Sequence, residues 1–176
     1  IWNDQLIPPW NGGYTININA QMNYWPAEIT NLSECQEPFF DAIKELAQKG
    51  QKTATEMYGN DGWVAHHNTD IWRNAEPIDN CNCSFWNVAG GWLVSHFWEK
   101  YLFTGDKDFL KKEVFPLLKG VIAFYEDWLV QNENGYLVTP VGMSPELNFI
   151  YENTKQATFS AGPTMDMAII RESYER

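Results

Sequence analysis

The stretch from Ser84 to Thr104 is apolar on nearly all sides, and this feature most limits the folds open to the chain. A helix with this pattern has to be buried on most of its surface. Gly90 and Gly91 would each cost a helix about 1 kcal/mol relative to alanine, so we expect another element to approach closely at that point. The stretch therefore predicts an inner helix of a helical fold.

Two amphipathic segments flank that stretch. From Glu37 to Tyr58, apolar residues recur at helical spacing with lysines on the opposite face, and the following Gly59 is typical of a helix end. From Asp106 to Gln131, a second apolar stripe recurs at the same spacing. We expect the first segment to be an amphipathic packing helix and the second to be an outer helix that packs on the inner one, a pattern that several helical architectures share.

The stretch from Trp10 to Glu28 combines amides and aromatic rings, without the alternation of a surface strand or the charged face of a surface helix. We expect it to be buried, with a helix over about 17–30 that Pro26 disturbs. A buried amide without a partner costs about 1–3 kcal/mol, so these amides must bond to the backbone, to one another or to a ligand. Composition alone favours a satisfied core network over a polyol site. The amides in question are those of Asn17, Asn19 and Asn23.

Composition excludes some classes of partner. The 23 acidic and 12 basic residues give a net charge of −11, which would repel a polyphosphate, so we predict no nucleic-acid partner. No apolar run approaches the roughly 18–20 residues of a membrane span, so we also predict no membrane partner. Nine Trp, eight Tyr and ten Phe can fill a core, but such rings also stack on sugars. A chain of 176 residues is typical of one domain.

Candidate metal ligands are few. The adjacent His66 and His67 lack an H-x-x-x-H spacing, and neighbours on an extended segment point to opposite sides. The thiols of Cys35, Cys81 and Cys83 fit neither a zinc-binding spacing nor an obvious disulfide pair. We therefore predict no metal site and no cofactor.

The long connection from Asn60 to Cys83 is dense in polar side chains that can point into a pocket. His66 and Asp70 are candidate substrate-binding residues within it. Trp72 and, just beyond it, Trp86 are candidates for stacking on a sugar ring. Asp70 also has a simpler interpretation, as a carboxylate that caps a turn or a helix.

Glu146 lies at the tip of a loop rich in proline and glycine, read T-P-V-G-M-S-P-E-L-N-F. Its apolar neighbours Pro145, Leu147 and Phe149 would favour the protonated carboxyl, which is the form that a general acid needs. The commoner reading of a glutamate in such a loop is a solvated surface residue. At the level of the residues themselves, both interpretations stay open.

Five segments of the chain, taken together, give a more specific sequence signal than any one of them alone. In order they read P-P-W-N-G-G-Y-T-I-N-I-N-A-Q-M-N-Y-W-P-A-E, H-H-N-T-D-I-W, G-G-W-L-V-S-H-F-W-E-K-Y-L-F-T-G-D, T-P-V-G-M-S-P-E-L-N-F and P-T-M-D-M-A-I-I-R-E. They resemble the catalytic domain of glycoside hydrolase family 95, over nearly the whole chain. The resemblance implies an all-α fold, an (α/α)6 barrel, and an exo-acting α-L-fucosidase of the kind that cuts terminal Fuc-α1,2-Gal linkages. An oligosaccharide or glycan would then be the substrate.

The resemblance also implies roles for particular residues in an inverting hydrolysis, in which one carboxylic acid protonates the leaving oxygen and a base activates water on the opposite face. Glu146 of S-P-E matches the family's general acid. Asn17 and Asn19 of N-I-N match two asparagines that hold the attacking water, together with a distant aspartate that acts as the base. By family position, that aspartate lies beyond Arg176.

The same resemblance implies that residues 1–176 form a single partial domain, the first part of the barrel. The remainder of the barrel would be its partner, and we expect the chain alone to be inactive because the base and the closing helices would be missing. Family membership implies an extracellular or periplasmic location, although this sequence carries no signal peptide.

One departure from the family pattern bears on the substrate. Members that favour fucose carry a histidine two residues before the first asparagine, where this chain has Thr15. The smaller side chain could leave room for a hydroxyl on C6, as in L-galactose, so an α-L-galactosidase stays open. Two other classes also stay open: a non-catalytic carbohydrate-binding helical module, and another (α/α)6 enzyme such as a phosphorylase or polysaccharide lyase.

Overall fold

A computed structural model of the chain describes residues 4–176. That part of the chain is rich in helix, in agreement with the predicted all-α class. Its α-helices, in chain order, are α1 Asn19–Tyr24, α2 Pro26–Ile29, α3 Glu37–Thr53, α4 Cys81–Ser84, α5 Ala89–Thr104, α6 Lys107–Phe109, α7 Phe115–Trp128 and α8 Thr164–Glu175. Short 3₁₀ helices span Pro9–Gly12 and Ser33–Gln36, and π-helical turns span Ala54–Tyr58 and Leu110–Val114. No helix within residues 4–176 is both long and apolar enough to cross a membrane.

The strands are two or three residues long and form four antiparallel pairs. The pairs are β1 Tyr14–Thr15 with β2 Asn68–Thr69, β3 Val130–Gln131 with β4 Leu137–Val138, β5 Gly142–Met143 with β8 Phe159–Ser160, and β6 Phe149–Tyr151 with β7 Lys155–Ala157. Because each pair is so short, the strands do not form a core sheet. They fix the ends of the loops that connect the helices.

Helix α5 lies at the centre of the helical core and packs against α1, α3, α7 and α8. This confirms the predicted inner helix, and the two glycines allow the predicted close approach. A Cβ on Gly90 would lie 3.1 Å from the Trp63 ring, and one on Gly91 would lie 2.6 Å from the Tyr125 hydroxyl oxygen. The helix begins at Ala89 and not at Ser84 as predicted, because Ser84 ends the short α4.

Both amphipathic helices predicted to flank α5 are present. Helix α3 continues through a π-helical turn to Tyr58, and Gly59 ends it at a positive φ of 70°. The predicted apolar stripe is buried except at Met57, which is 46% exposed, so its inward assignment was wrong. In the second amphipathic helix, Asp106 caps the first turn by accepting hydrogen bonds from the Asp108 and Phe109 amides. A π-helical turn then joins α6 to α7.

Trp63 anchors the connection between α3 and α5 to the helical core. Its ring packs against Gly90 and Gly120, and its indole N–H donates to the Leu117 carbonyl oxygen over 2.9 Å. The Trp63 amide also donates to the Gly120 carbonyl oxygen, over 3.2 Å. The polar segment that follows Trp63 therefore starts from a fixed point.

The first prediction concerns Gly62, next to this anchor. Gly62 has a φ of +73°, and a Cβ there would lie 2.0 Å from the Gly120 carbonyl oxygen. Gly59 is a matched control because its φ is +70° but a Cβ would meet nothing within 4 Å. We expect Gly59→Ala to cost about 1 kcal/mol of stability, from backbone strain alone. Gly62→Ala should cost roughly 3 kcal/mol, since the backbone must also move. Thermal unfolding of both variants of the full-length protein measures the difference, and equal shifts of Tm would contradict the packing described for Gly62.

Candidate functional site

Two segments that are distant in sequence lie side by side at one end of the helical core. Strand β1 pairs with β2, with Tyr14 opposite Thr69 and Thr15 opposite Asn68. The pairing continues by one residue, because the Ile16 amide donates to the His67 carbonyl oxygen over 2.7 Å. The segment that carries Thr15 and Asn17 is therefore fixed next to His67.

The two adjacent histidines point to opposite sides, as an extended segment requires. His66 is fully buried: its Nδ1–H donates to the Ala75 carbonyl oxygen over 2.6 Å, and its Nε2 accepts from the Tyr58 hydroxyl over 2.6 Å. Burial lowers the pKa of His66 to about 4, although the bond to Ala75 acts in the opposite direction. His66 is therefore a neutral core residue at neutral pH.

His67 lies within electrostatic range of Glu146. Burial is the main cause that lowers its pKa, and the charges of Glu146 and Asp79 act against that effect. Its Nδ1 is buried and has no hydrogen-bond partner among the described residues. Of the two histidines, His67 is the one whose pKa the charge of Glu146 affects, and its backbone bonds to the segment of Asn17. The predicted substrate-binding residue was His66, and the alternation of an extended segment was the signal that could have identified His67.

Glu146 is presented on a tight turn. Strand β5 pairs with β8 and ends at the fully buried Met143, and the Leu147 amide donates to the Ser144 carbonyl oxygen over 2.7 Å. Glu146 is exposed in this chain, and its neighbour Leu147 is 68% exposed. The prediction that neighbouring apolar residues surround Glu146 is therefore wrong for this chain. Glu146 nevertheless lies close enough to Cys83 to raise the pKa of that thiol, after the effects of burial and Asp79.

The amide-rich stretch is buried on one face only. Asn17 is 6% exposed, whereas Asn19 and Asn23 on α1 are exposed, so the prediction that the segment is buried was wrong for these two asparagines. Gln21 is fully buried and donates to the Ile16 carbonyl oxygen over 2.7 Å. The predicted break near Pro26 is present, since Pro26 begins a separate helix, α2.

Asp70 organises a local turn. Its Oδ1 accepts from the Trp72 and Asn74 amides over 2.9 and 3.2 Å, and its Oδ2 accepts from the Asn74 side chain over 2.7 Å. This is the turn carboxylate of the simpler interpretation. The turn leaves the Trp72 indole 72% exposed, so that ring is free to stack on a sugar.

Two of the predicted substrate-binding residues have no surface that a sugar could reach. Trp86 is 0% exposed and packs edge-on against Trp92, with ring centroids 6.0 Å apart. His66 is equally buried, and both of its ring nitrogens are already bonded. Because both side chains are buried, the prediction that they contact the substrate is wrong. Both are core residues.

Other possible sites do not coincide with these residues. A cavity of about 230 Å³ is lined by Tyr24, Phe39 and Leu46, and it also touches the strand pair at Tyr14 and Thr69, but none of the predicted site residues lines it. Within residues 4–176, no group of three or more His, Cys, Asp or Glu side chains is placed to hold a metal ion. The best candidate site is therefore the group of polar residues Thr15, Asn17, His67 and Glu146.

Comparison with known families identifies the class of protein. The family model described as the glycosyl hydrolase family 95 catalytic domain matches residues 1–176. The match covers every segment described above, from the strand of Thr15 to the helix that follows the Glu146 loop. The sequence is therefore that of a glycosyl hydrolase catalytic domain. Within that class, the chain belongs to glycosyl hydrolase family 95.

Three curated relatives illustrate the similarity. The chain is 46% identical over 175 residues to alpha-L-fucosidase 2 of Arabidopsis thaliana, which covers 99% of the chain and 21% of the relative. It is 30% identical over 151 residues to the probable alpha-fucosidase A of Aspergillus niger, covering 83% of the chain and 19% of the relative. A kojibiose hydrolase of Flavobacterium johnsoniae is 29% identical over 80 residues, or 45% of the chain and 12% of the relative. The chain spans about a fifth of the length of the first two relatives.

Proposed function

We propose that this chain is the acid-bearing part of an exo-acting, inverting α-L-fucosidase that removes terminal Fuc-α1,2-Gal residues, or of a closely related α-L-galactosidase. The observation that carries the proposal is the link through His67. Its backbone bonds to the residue before Asn17, and its side chain is close enough to Glu146 for that charge to act against the lowering of the His67 pKa. The names of the relatives from Arabidopsis thaliana and Aspergillus niger support the fucoside class.

In this proposal, Glu146 donates a proton to the leaving oxygen of the glycosidic bond. Its exposure on a tight turn allows a glycan to approach it. Burial lowers the pKa of His67, so at neutral pH its imidazole adds no positive charge near Glu146 that would stabilise the ionised carboxylate. The exposed Trp72 supplies a stacking face for a sugar ring.

Asn17 and Asn19 hold the attacking water in this scheme. A side-chain amide can donate to a water and accept from it, yet it cannot take up the proton that the water loses. The proton must therefore go to a carboxylate on the opposite face of the sugar, and by family resemblance that base is not among these 176 residues. Turnover would then require the remainder of the catalytic domain.

We further propose that the helices described here are the first part of an (α/α)6 barrel. The buried α5 and the flanking α3 and α7 support an arrangement of inner and outer helices. Several large apolar side chains are exposed in this chain, including Leu102 at 63% and Phe115 at 59%. The remaining helices of the barrel would cover part of such a surface.

The second prediction concerns the choice of sugar. Thr15 lies in β1, next to the segment of Asn17, and is half-buried. Its hydroxyl can bond to a hydroxyl on C6 of L-galactose, whereas an imidazole would fill that space. We expect Thr15→His in the full-length enzyme to shift the kcat/KM ratio of the two sugars by roughly tenfold in favour of fucose. Matched aryl L-fucosides and L-galactosides measure the ratio.

Thr15→Val is the matched control, because it keeps the shape of threonine and removes only the hydroxyl. It should lower activity on the L-galactoside while leaving the L-fucoside nearly unchanged. If neither substitution alters the ratio, Thr15 does not contact the C6 position and the specificity proposal is wrong.

A further inference from the structure

One buried carboxylate is not used by the proposed reaction. Asp166 lies in the first turn of α8 and is 0% exposed. An acidic residue in a first helical turn is ordinarily solvated and interacts only with the helix dipole. A fully buried one needs another reason to be there, because burial of an unpaired charge costs free energy.

The carboxylate lies directly against the strand that leads to Glu146. A Cβ built on Gly142 would be only 1.9 Å from Asp166 Oδ2. The carboxylate therefore occupies the space that any larger residue at position 142 would need. Strand β5 ends at Met143, and the turn that presents Glu146 begins at Ser144. Asp166 therefore contacts the base of the Glu146 loop.

Two buried side-chain donors from other segments face the same carboxylate. Burial raises the pKa of Asp166 to about 7, and the nearby Trp86 indole and Thr139 hydroxyl act against that rise. Neither donor meets ordinary hydrogen-bond geometry, and within residues 4–176 neither has another partner. Both carboxylate oxygens are likewise without a bond there. Since unpaired buried polar groups are unfavourable, the two donors and the carboxylate are each other's natural partners.

These contacts join three parts of the molecule at one point. Trp86 precedes the central helix α5, Thr139 and Gly142 belong to the segment that enters the Glu146 loop, and Asp166 belongs to α8. Helices α5 and α8 pack directly on each other, so two of the three parts are rigid core. The third part is the loop, which otherwise projects into solvent.

We propose that Asp166 is a positioning residue, which ties the Glu146 loop to the helical core through Gly142, Thr139 and Trp86 and so fixes the distance between Glu146 and the substrate. This inference rests on the proposed role of Glu146 as the general acid. A misplacement of about 1 Å can cost roughly 100-fold in rate, so loss of the tie should reduce catalysis without any contact between Asp166 and the substrate.

The test uses Asp166→Ala and Asp166→Asn in the full-length protein, with Asp108→Ala as a control. Asp108 is also in a first helical turn, but it is exposed. The first readout is hydrogen exchange of peptides covering residues 142–151, which does not depend on activity. We expect both Asp166 variants to exchange faster there, including at the Leu147 amide that closes the turn, while Asp108→Ala matches the wild type.

The second readout is the dependence on the leaving group. For Asp166→Ala we expect kcat on a disaccharide to fall by about 10–100-fold with little change in KM, and a markedly smaller loss on an aryl fucoside with an acidic leaving group. Unchanged exchange together with equal losses on both substrates would overturn the proposal and leave Asp166 a packing residue. If the Asp166 variants do not fold, Thr139→Val removes one donor at constant shape, and the same two outcomes decide the question.

Glu146→Gln, measured in parallel, separates this inference from the proposed function. If Glu146→Gln shows no dependence on the leaving group, the acid assignment fails. The exchange data would then still decide whether Asp166 holds the loop.

Discussion

Glu146→Gln in the full-length protein should lower kcat on a natural disaccharide by about 10²–10⁴-fold, which is the usual contribution of general acid catalysis. A glutamine has nearly the same shape as glutamate but has no proton to give to a leaving oxygen. An aryl fucoside with a very acidic leaving group needs little protonation, so its hydrolysis should lose far less. The steady-state rates of the two substrates measure this difference directly.

Glu152→Gln is the matched control, because Glu152 is an exposed glutamate a few residues further along the same segment. It should leave both rates within about twofold of the wild type, as expected of a surface substitution. If Glu146→Gln lowers both substrates equally, Glu146 is not the proton donor. A near-normal rate on both would remove it from the site altogether.

The second large effect is expected at the two asparagines. Asn17→Gly and Asn19→Asp should each lower kcat by roughly 10²-fold, by analogy with the loss of a single preorganised polar group elsewhere in catalysis. KM should change much less, because the attacking water is most strongly oriented in the transition state. Full kinetic curves on one disaccharide separate the two parameters.

Asn23→Gly and Asn23→Asp are the controls for these substitutions. Asn23 lies on the same short helix as Asn19 but is not assigned to the site. Both control variants should keep kcat near that of the wild type. If the Asn17 and Asn19 variants raise KM while kcat is preserved, the two amides bind the sugar and do not orient the water.

The helices could be predicted because their signals are local. Gly59 ends α3 at a positive φ, as the sequence indicated, and the second amphipathic helix starts close to the predicted Asp106, which accepts its first free amides. The apolar run of α5 identified the central helix because such a surface can only be buried. Each of these conclusions depends on a few neighbouring residues and on the period of the helix.

The site was harder to predict because it depends on contacts between distant segments. The pairing of β1 with residues 67–69 decides which of the two histidines, His66 or His67, lies near Glu146. Burial of Trp86 depends on packing against Trp92 and on the core around α5. In the sequence Asp166 is one of three acidic residues in an amphipathic helix, and its contact with Gly142 depends on a strand more than twenty residues earlier.

The configuration of the first sugar released by the full-length protein tests the central proposal most directly. Time-resolved proton NMR of an α-L-fucoside digest, recorded before the product mutarotates, distinguishes the two anomers. If Glu146 acts as the acid and a water held by Asn17 and Asn19 attacks from the opposite face, the β-anomer of L-fucose must appear first. Initial release of the α-anomer would mean retention of configuration, and it would contradict both the assignment of the two asparagines and the inverting scheme.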